Sequence, residues 1–264
     1  MNDNFEEERF AEAPAILAGL PSQTDEIRVH QEPRISANKL AEYVVASPSR
    51  QKTILRDCKF VKKIIVVQYK QAKACIPYAF AENSLNIDVL VSRAQQIEGG
   101  NGAAGISDWQ KNDNANSASA LRHLAAAAPE LSWGKAKMLH VKLGGLTIAG
   151  VQVSIQTELV FSFEHHNITK VGAVILNTVK GDAKSLDRRN GTYCVGDYLS
   201  SLLFQMLLAK ATKFGPPLNK KCYAVDVFRE KVYTAPASFR KLNKDLEAAC
   251  EMIASRWKDI TLPA

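Results

Sequence analysis

The sequence predicts an α+β protein, in which a helical N-terminal part is followed by a mixed β-sheet flanked by helices. Residues 151–163 alternate between apolar and polar side chains, which is the period of two expected of a half-covered strand. Residues 171–179 follow as an almost wholly apolar run, which predicts a strand buried on both faces. Before and after this pair of strands, apolar residues recur at helical spacing.

The composition is that of an ordinary globular protein. The chain has 264 residues, 46% of them apolar and 23% charged, which is enough for one large domain. No run approaches the roughly 18 apolar residues of a membrane span, so we expect no membrane partner. The N-terminus, MNDNFEEERF, is too acidic and polar for a secretory signal. The five cysteines show no zinc-binding spacing, which favours free thiols and a cytoplasmic location.

Three regions are expected along the chain: a flexible acidic tail (1–32), a helical region (33–128) and an α/β sheet core (129–264). Within the helical region, serines before apolar periodic segments predict helix starts. The helices predicted in this way are 37–46 after Ser36, one beginning at Ser47-Pro48 and one from Ser84 to Ile97. A further helix is predicted over 107–128, with a polar start and an alanine-rich end. In the core we expect strands at 137–143, 146–163, 171–179, 222–228 and 232–234, and helices over 193–213 and from Ala237.

The predicted second helix is rich in basic residues from Arg50 to Lys73, and Pro77 should end it. At 100° per residue, five cations lie within about 60° of one another, opposite an apolar stripe; they are Lys52, Arg56, Lys59, Lys63 and Lys70. Such a face is typical of a helix that binds the phosphate backbone of nucleic acid. A solvated lysine face is an equally weighted interpretation, and the β-branched residues 64–67 weaken the prediction of one unbroken helix.

The predicted strands and helices of the core follow the order β-β-β-α-β-β-α. Over roughly residues 107–228, the predicted helix, three antiparallel strands, helix and further strand resemble the core order of the PD-(D/E)XK, restriction-endonuclease-like superfamily. In that family an acidic residue ends the second strand and a Glu-x-Lys lies on the third, and together they bind magnesium and orient water. Thr157-Glu158-Leu159 stands where the Pro-Asp-Leu signature would be. The third strand holds no Glu-x-Lys, although Lys180 follows it. The resemblance therefore implies a degenerate site with Glu158 and Lys180 in the catalytic positions.

Two further segments, RISANKLAEYVVASPSR and VDVFREKVYTAP, are reminiscent of uncharacterised bacterial proteins with the same strand order.

From the residues themselves, Glu158 falls on the polar face of its strand, where a solvent-facing role is favoured. Asp226 alternates with valines and is interpreted as a satisfied buried or edge carboxylate. A polar cluster that includes Asp108, Asp113, Asn114 and Asn116 is interpreted as a solvated face.

One carboxylate does not hold magnesium against a phosphate, so we expect no metal or cofactor unless the chain cleaves nucleic acid. The net charge of +7 favours a polyanionic partner. We therefore expect a nucleic-acid-binding subunit on a degenerate nuclease-like scaffold, as part of a bacterial defence or mobile-element assembly. The alternative is a protein-interaction or neutralising subunit that binds another protein subunit. An active magnesium-dependent nuclease is a minor alternative.

Overall fold

The computed structural model describes residues 27–62, 69–80, 84–100, 105–179 and 193–262, and over these ranges the protein is α+β. The helices are α1 (Ala37–Val45), α2 (Pro48–Lys59), α3 (Lys70–Ala79), α4 (Ile87–Gly99), α5 (Asp108–Ala127), α6 (Val195–Lys210) and α7 (Arg240–Arg256). The strands are β1 (Ile27–Val29), β2 (Arg34–Ser36), β3 (Phe60–Lys62), β4 (Ala136–Met138), β5 (Gly145–Ile148), β6 (Val151–Ser154), β7 (Leu159–His165), β8 (Ile168–Asn177), β9 (Pro217–Asp226) and β10 (Lys231–Thr234).

The main sheet has five strands in the order β10-β9-β8-β7-β4. Strands β4, β7 and β8 form an antiparallel meander, whereas β8 and β9 are parallel and are joined through α6. The hairpin between β7 and β8 turns at His166 and Asn167, which both have positive φ, so the adjacent histidines do not form a pair on one strand face. The carboxyl ends of the parallel strands β8 and β9 lie at one edge of the sheet. That edge borders one of two polar cavities.

Two smaller sheets complete the β structure. In the three-stranded sheet β2-β6-β5, strand β2 is parallel to β6 and β5 is antiparallel to it. Strands β1 and β3 form an antiparallel pair, with Ile27 opposite Lys62 and Val29 opposite Phe60.

A hydrophobic core lies on each face of the five-stranded sheet. Strand β8 is buried on both faces, as the sequence predicts, because Val171, Ala173 and Ile175 point to one core and Val174 and Leu176 to the other. The first core packs α1, α2, α6 and α7 against the sheet, and the second packs α3, α4 and α5. Both cores therefore combine residues from before and after position 128.

The single strand predicted over 146–163 is wrong. Residues 151–156 do alternate between buried and exposed, but the chain leaves β6 at Ser154 and starts β7 at Leu159 in a different sheet. Val151 and Val153 consequently lie in the first core, and Phe161 and Phe163 lie in the second. Local alternation cannot show that a chain changes sheets, because both strands have the same period.

The single basic helix predicted from Arg50 to Lys73 is also wrong. Helix α2 ends at Lys59, β3 follows immediately, and α3 begins at Lys70. The strand formed by residues 60–62 pairs with β1, and this long-range contact outweighs the local helical pattern. Pro77 lies inside α3, two residues before its end, instead of stopping the helix beforehand.

Most predicted helix starts are confirmed by side-chain caps. The hydroxyls of Ser36, Ser47 and Ser107 accept backbone hydrogen bonds at the starts of α1, α2 and α5. Helix α4 is capped by Asn86 and not by Ser84. The acidic segment over 1–26 lies outside the described residues, whereas residues 27–29 of the predicted tail form β1.

Candidate functional site: two polar cavities

The first cavity, here called the basic groove, lies between α1, α2 and the segment that follows α7. Its volume is about 620 Å³. Three cations line it: the exposed Lys52, the half-buried Arg56 and the exposed Arg256. Asp259 is the one carboxylate among the described residues that line this groove. Two of the predicted nucleic-acid-binding residues thus share a groove with a cation that the sequence analysis did not select.

Lys59 is not part of this surface, which corrects its assignment to the basic stripe. The side chain is 9% exposed, and its ammonium donates to the carbonyl oxygens of Trp257 (2.7 Å), Lys258 (3.2 Å) and Ile260 (2.9 Å). An ammonium group has three donors, so these bonds use all of them. Carbonyls at a helix C-terminus carry partial negative charge, which a lysine there compensates. Lys59 therefore anchors the end of α7 and one wall of the basic groove.

The other cations of the predicted stripe also lie elsewhere. Lys70 is exposed at the start of α3 and does not line the basic groove. Lys63 lies outside the described residues.

Arg50, one turn before Ile54 on α2, has its guanidinium 2.7 Å from the Glu42 carboxylate. This pairing raises the pKa of Arg50, chiefly through the hydrogen bond from its side chain.

Tyr43 of α1 also lines the groove, and its environment is unusual. The residue is 1% exposed, and its hydroxyl has no hydrogen-bond partner among the described residues. Burial raises the pKa of this phenol, with a smaller opposing effect from Arg256. A neutral hydroxyl is consequently present at the groove, although it is buried and contacts a ligand oxygen only if the side chains that cover it move.

The second cavity, here called the polar cleft, lies between α3, α5 and the carboxyl end of β8. It consists of two adjoining spaces of about 530 and 380 Å³, which share Tyr69, Lys73, Thr178 and Val179 as lining residues. Trp109 lines the larger space and Glu158 the smaller one. The described residues of the basic stripe therefore do not share a groove with Glu158; the cations that line its cavity are Lys39 and Lys73.

Glu158 is not the solvent-facing residue that its strand position predicts. It precedes β7, and its backbone N–H donates to the Val174 carbonyl (2.9 Å). Burial of the side chain raises its pKa above the ordinary value, and the nearby Lys73 ammonium opposes this effect. Among the described residues no hydrogen bond or ion pair engages the Glu158 carboxylate. The structure therefore places a poorly solvated carboxyl group at the inner end of the polar cleft.

The other acidic groups near the cleft are already engaged. The Asp113 carboxylate accepts hydrogen bonds from the backbone N–H groups of Tyr69 (2.7 Å) and Lys70 (3.3 Å), at the start of α3. Asp113 is thus buried and structural, which corrects its interpretation as part of a solvated face. Asp226, 5% exposed, is a buried carboxylate whose Oδ2 pairs with Arg229 at 3.3 Å.

Asn177 lies at the end of β8 and is 4% exposed. Its side-chain oxygen accepts from the amide of Asn38 and from the backbone N–H of Val179, both at 3.4 Å. Lys180 lies outside the described residues. In the part of the chain that the structure describes, no three His, Cys, Asp or Glu side chains are grouped so that they could hold a metal ion.

The fold and cavities together define an α+β protein with two separate polar surfaces. Comparison of the sequence with protein-family models and with curated proteins gave no significant match. All five cysteines are buried free thiols. Within the described ranges, no helix is both long and apolar enough to cross a bilayer.

Sequence reasoning missed Arg256, Tyr43, Lys73 and Trp109. Arg256 and Tyr43 lie 213 positions apart, as their numbers show, and no local pattern links them. Trp109 did carry a signal, because a tryptophan in the polar first turn of a capped helix has no apolar neighbours at helical spacing. Lys73 lies outside the predicted stripe, so the helical pattern did not select it.

Proposed function

We propose that this protein binds the phosphate backbone of nucleic acid through the basic groove. The observation that supports this most directly is the convergence of Lys52 and Arg56 from α2 with Arg256 from α7 on one cavity. Cations from two helices that line one groove place positive charge along the path of a nucleic-acid strand. A solvated lysine face instead distributes its positive charge over a convex surface. Phosphate contacts of this kind give affinity without sequence preference.

The charge balance of the groove supports an anionic ligand. Among the described residues that line it, the groove has three cations and one carboxylate, Asp259. Arg56 is only loosely paired with Asp57 at 3.6 Å, and their side chains are 39% and 47% exposed. An exposed pair at this distance contributes little, so Arg56 can exchange its partner for a phosphate at small cost. The excess of seven positive charges over the whole chain acts in the same direction at longer range.

The Tyr43 hydroxyl supplies a second, independent reason. A buried hydroxyl without a partner costs on the order of 1–3 kcal/mol, which a ligand oxygen would offset. Tyr43 lies with the three cations among the residues that line the groove.

The test is the salt dependence of binding to a short duplex and to a single strand of the same length. Charge reversal at Lys52, Arg56 and Arg256 should reduce the slope of log affinity against log salt by about 2 to 3, since each phosphate contact contributes roughly 0.7 to 0.9. Tyr43→Phe should leave the melting temperature unchanged or slightly higher, and should weaken binding several-fold.

A matched control reverses three exposed lysines that line neither cavity, Lys135, Lys142 and Lys244. This variant has the same net charge as the groove variant but should retain most of the slope. If the two variants lose binding equally, the groove has no special role. If the wild-type protein binds no nucleic acid at low salt, the proposal is wrong, and the interaction-subunit alternative takes its place.

A further inference from the structure

Trp109 is the tryptophan that the fold leaves open to solvent. It is 47% exposed at the polar cleft, whereas Trp133 and Trp257 are 2% and 1% exposed. Val179, which lines the same space, is 42% exposed. A flat aromatic ring at a cavity mouth offers a face on which an unpaired base can stack, and this kind of contact tolerates any base.

The helices around the cleft place a cation beside this ring. Trp109, Asn112 and Asn116 lie three to four residues apart on α5 and so share one face of the helix. The Asp113 carboxylate holds the first turn of α3 against α5 through the N–H groups of Tyr69 and Lys70. Lys73 is one turn further along α3 and lines both spaces of the cleft. A base on the ring would therefore have an ammonium within the same cavity.

Helix α1 connects the polar cleft to the basic groove. Lys39 lines the cleft and Tyr43 lines the groove. These residues are one turn apart on the same side of α1, so their Cα atoms are separated by about 6 Å along the helix axis. The two cavities are therefore lined by neighbouring turns of the same helix.

We infer that the polar cleft takes an unpaired nucleotide, with its base stacked on Trp109 and its phosphate at Lys73. The inference rests on the proposed function, because the strand is the one held in the basic groove. It adds a preference for single-stranded nucleic acid, since a base inside a duplex has no free face for the indole. The same chemistry accepts DNA or RNA.

The experiment follows tryptophan fluorescence during titration with single-stranded oligothymidylate and, separately, with a hairpin duplex of equal nucleotide count whose two strands are joined by a linker without bases. Stacking quenches the emission of Trp109, while the two buried indoles report any change in the fold. We expect quenching by the single strand and none by the hairpin. Trp109→Ala should weaken single-strand binding by roughly 5- to 100-fold and leave hairpin binding within about two-fold.

Trp109→Phe is the control, because it keeps an aromatic face but removes the exposed indole. It should bind the single strand nearly as well as the wild type and show no quenching. If both probes bind equally well and the tryptophan emission does not change, the inference about the cleft is wrong and the groove proposal is retained. Binding that the groove variant loses but Trp109→Ala retains in full also overturns it. Absence of binding to either probe rejects both proposals.

Discussion

The Lys59 ammonium donates a 2.7 Å hydrogen bond to the Trp257 carbonyl, and this contact joins the end of α2 to the end of α7. The same two residues are linked through β1: the His30 N–H donates to the Lys59 carbonyl (2.8 Å), and the Trp257 indole donates to the His30 carbonyl (3.1 Å). Three distant segments thus meet in one small network. Its effect is to fix the wall of the basic groove formed by the residues after α7.

Lys59→Met should destabilise the protein by about 2 kcal/mol, because it leaves three partly buried carbonyls without their charged donor. Methionine keeps most of the side-chain stem, so loss of packing is small. Chemical denaturation measures the change. Lys52→Met on the same helix is the matched control and should change stability by less than about 0.5 kcal/mol. Equal effects of the two substitutions would show that the network contributes nothing to stability.

Deleting residues 1–30 should lower the melting temperature more than deleting residues 1–26. The four additional residues are the whole of β1 and His30, whose backbone groups bind β3, Lys59 and Trp257. The sequence alone predicts that removal of the whole tail leaves the melting temperature nearly unchanged, and comparison of the two deletions tests that prediction. Thermal unfolding of the two truncated proteins measures the difference. Identical melting temperatures would mean that β1 is dispensable.

Glu158→Gln should stabilise the protein at pH 8 and have little effect near pH 4. Burial raises the folded-state pKa of Glu158 above its ordinary value of 4.5, so the folded state binds its proton more tightly than the unfolded chain does. Wild-type stability therefore falls as the pH rises from about 4.5 through the folded-state pKa, and glutamine lacks this loss.

Melting temperatures of the two proteins across this pH range test the prediction. Lys73→Met should enlarge the stabilisation by Glu158→Gln, because it removes the cation that favours the ionised carboxylate. A Glu158→Gln protein that is less stable than the wild type at pH 8 would show that ionised Glu158 makes a favourable pair with Lys73.

We expect no magnesium-dependent cleavage of DNA or RNA by the isolated chain. Hydrolysis of this kind needs two convergent carboxylates, and the candidates near Glu158 are committed to other partners. Asp113 binds two backbone N–H groups and Asp226 pairs with Arg229. End-labelled substrates incubated with magnesium provide the measurement. Robust cleavage that Glu158→Ala abolishes would contradict the prediction, and Asp113→Asn and Asp226→Asn would then identify the second carboxylate.

Local sequence determined the elements whose signals are self-contained. The serine cap of α1 and the alanine-rich end of α5 placed these helices to within one or two residues. The apolar run at residues 171–176 predicted a strand buried on both faces, because it leaves no polar residue that could face water. These features depend on the chemistry of neighbouring residues, which the sequence displays directly.

Tertiary structure alone decided what the polar residues do. Lys59 has the same helical phase as Lys52, yet it meets Trp257, 198 positions away, and is buried. Glu158 continues a polar alternation, yet the change of sheet between β6 and β7 places it in the polar cleft. The position of a charged side chain depends on which distant backbone group or opposite charge it contacts in the folded protein. The local periodicity of the sequence does not specify that partner.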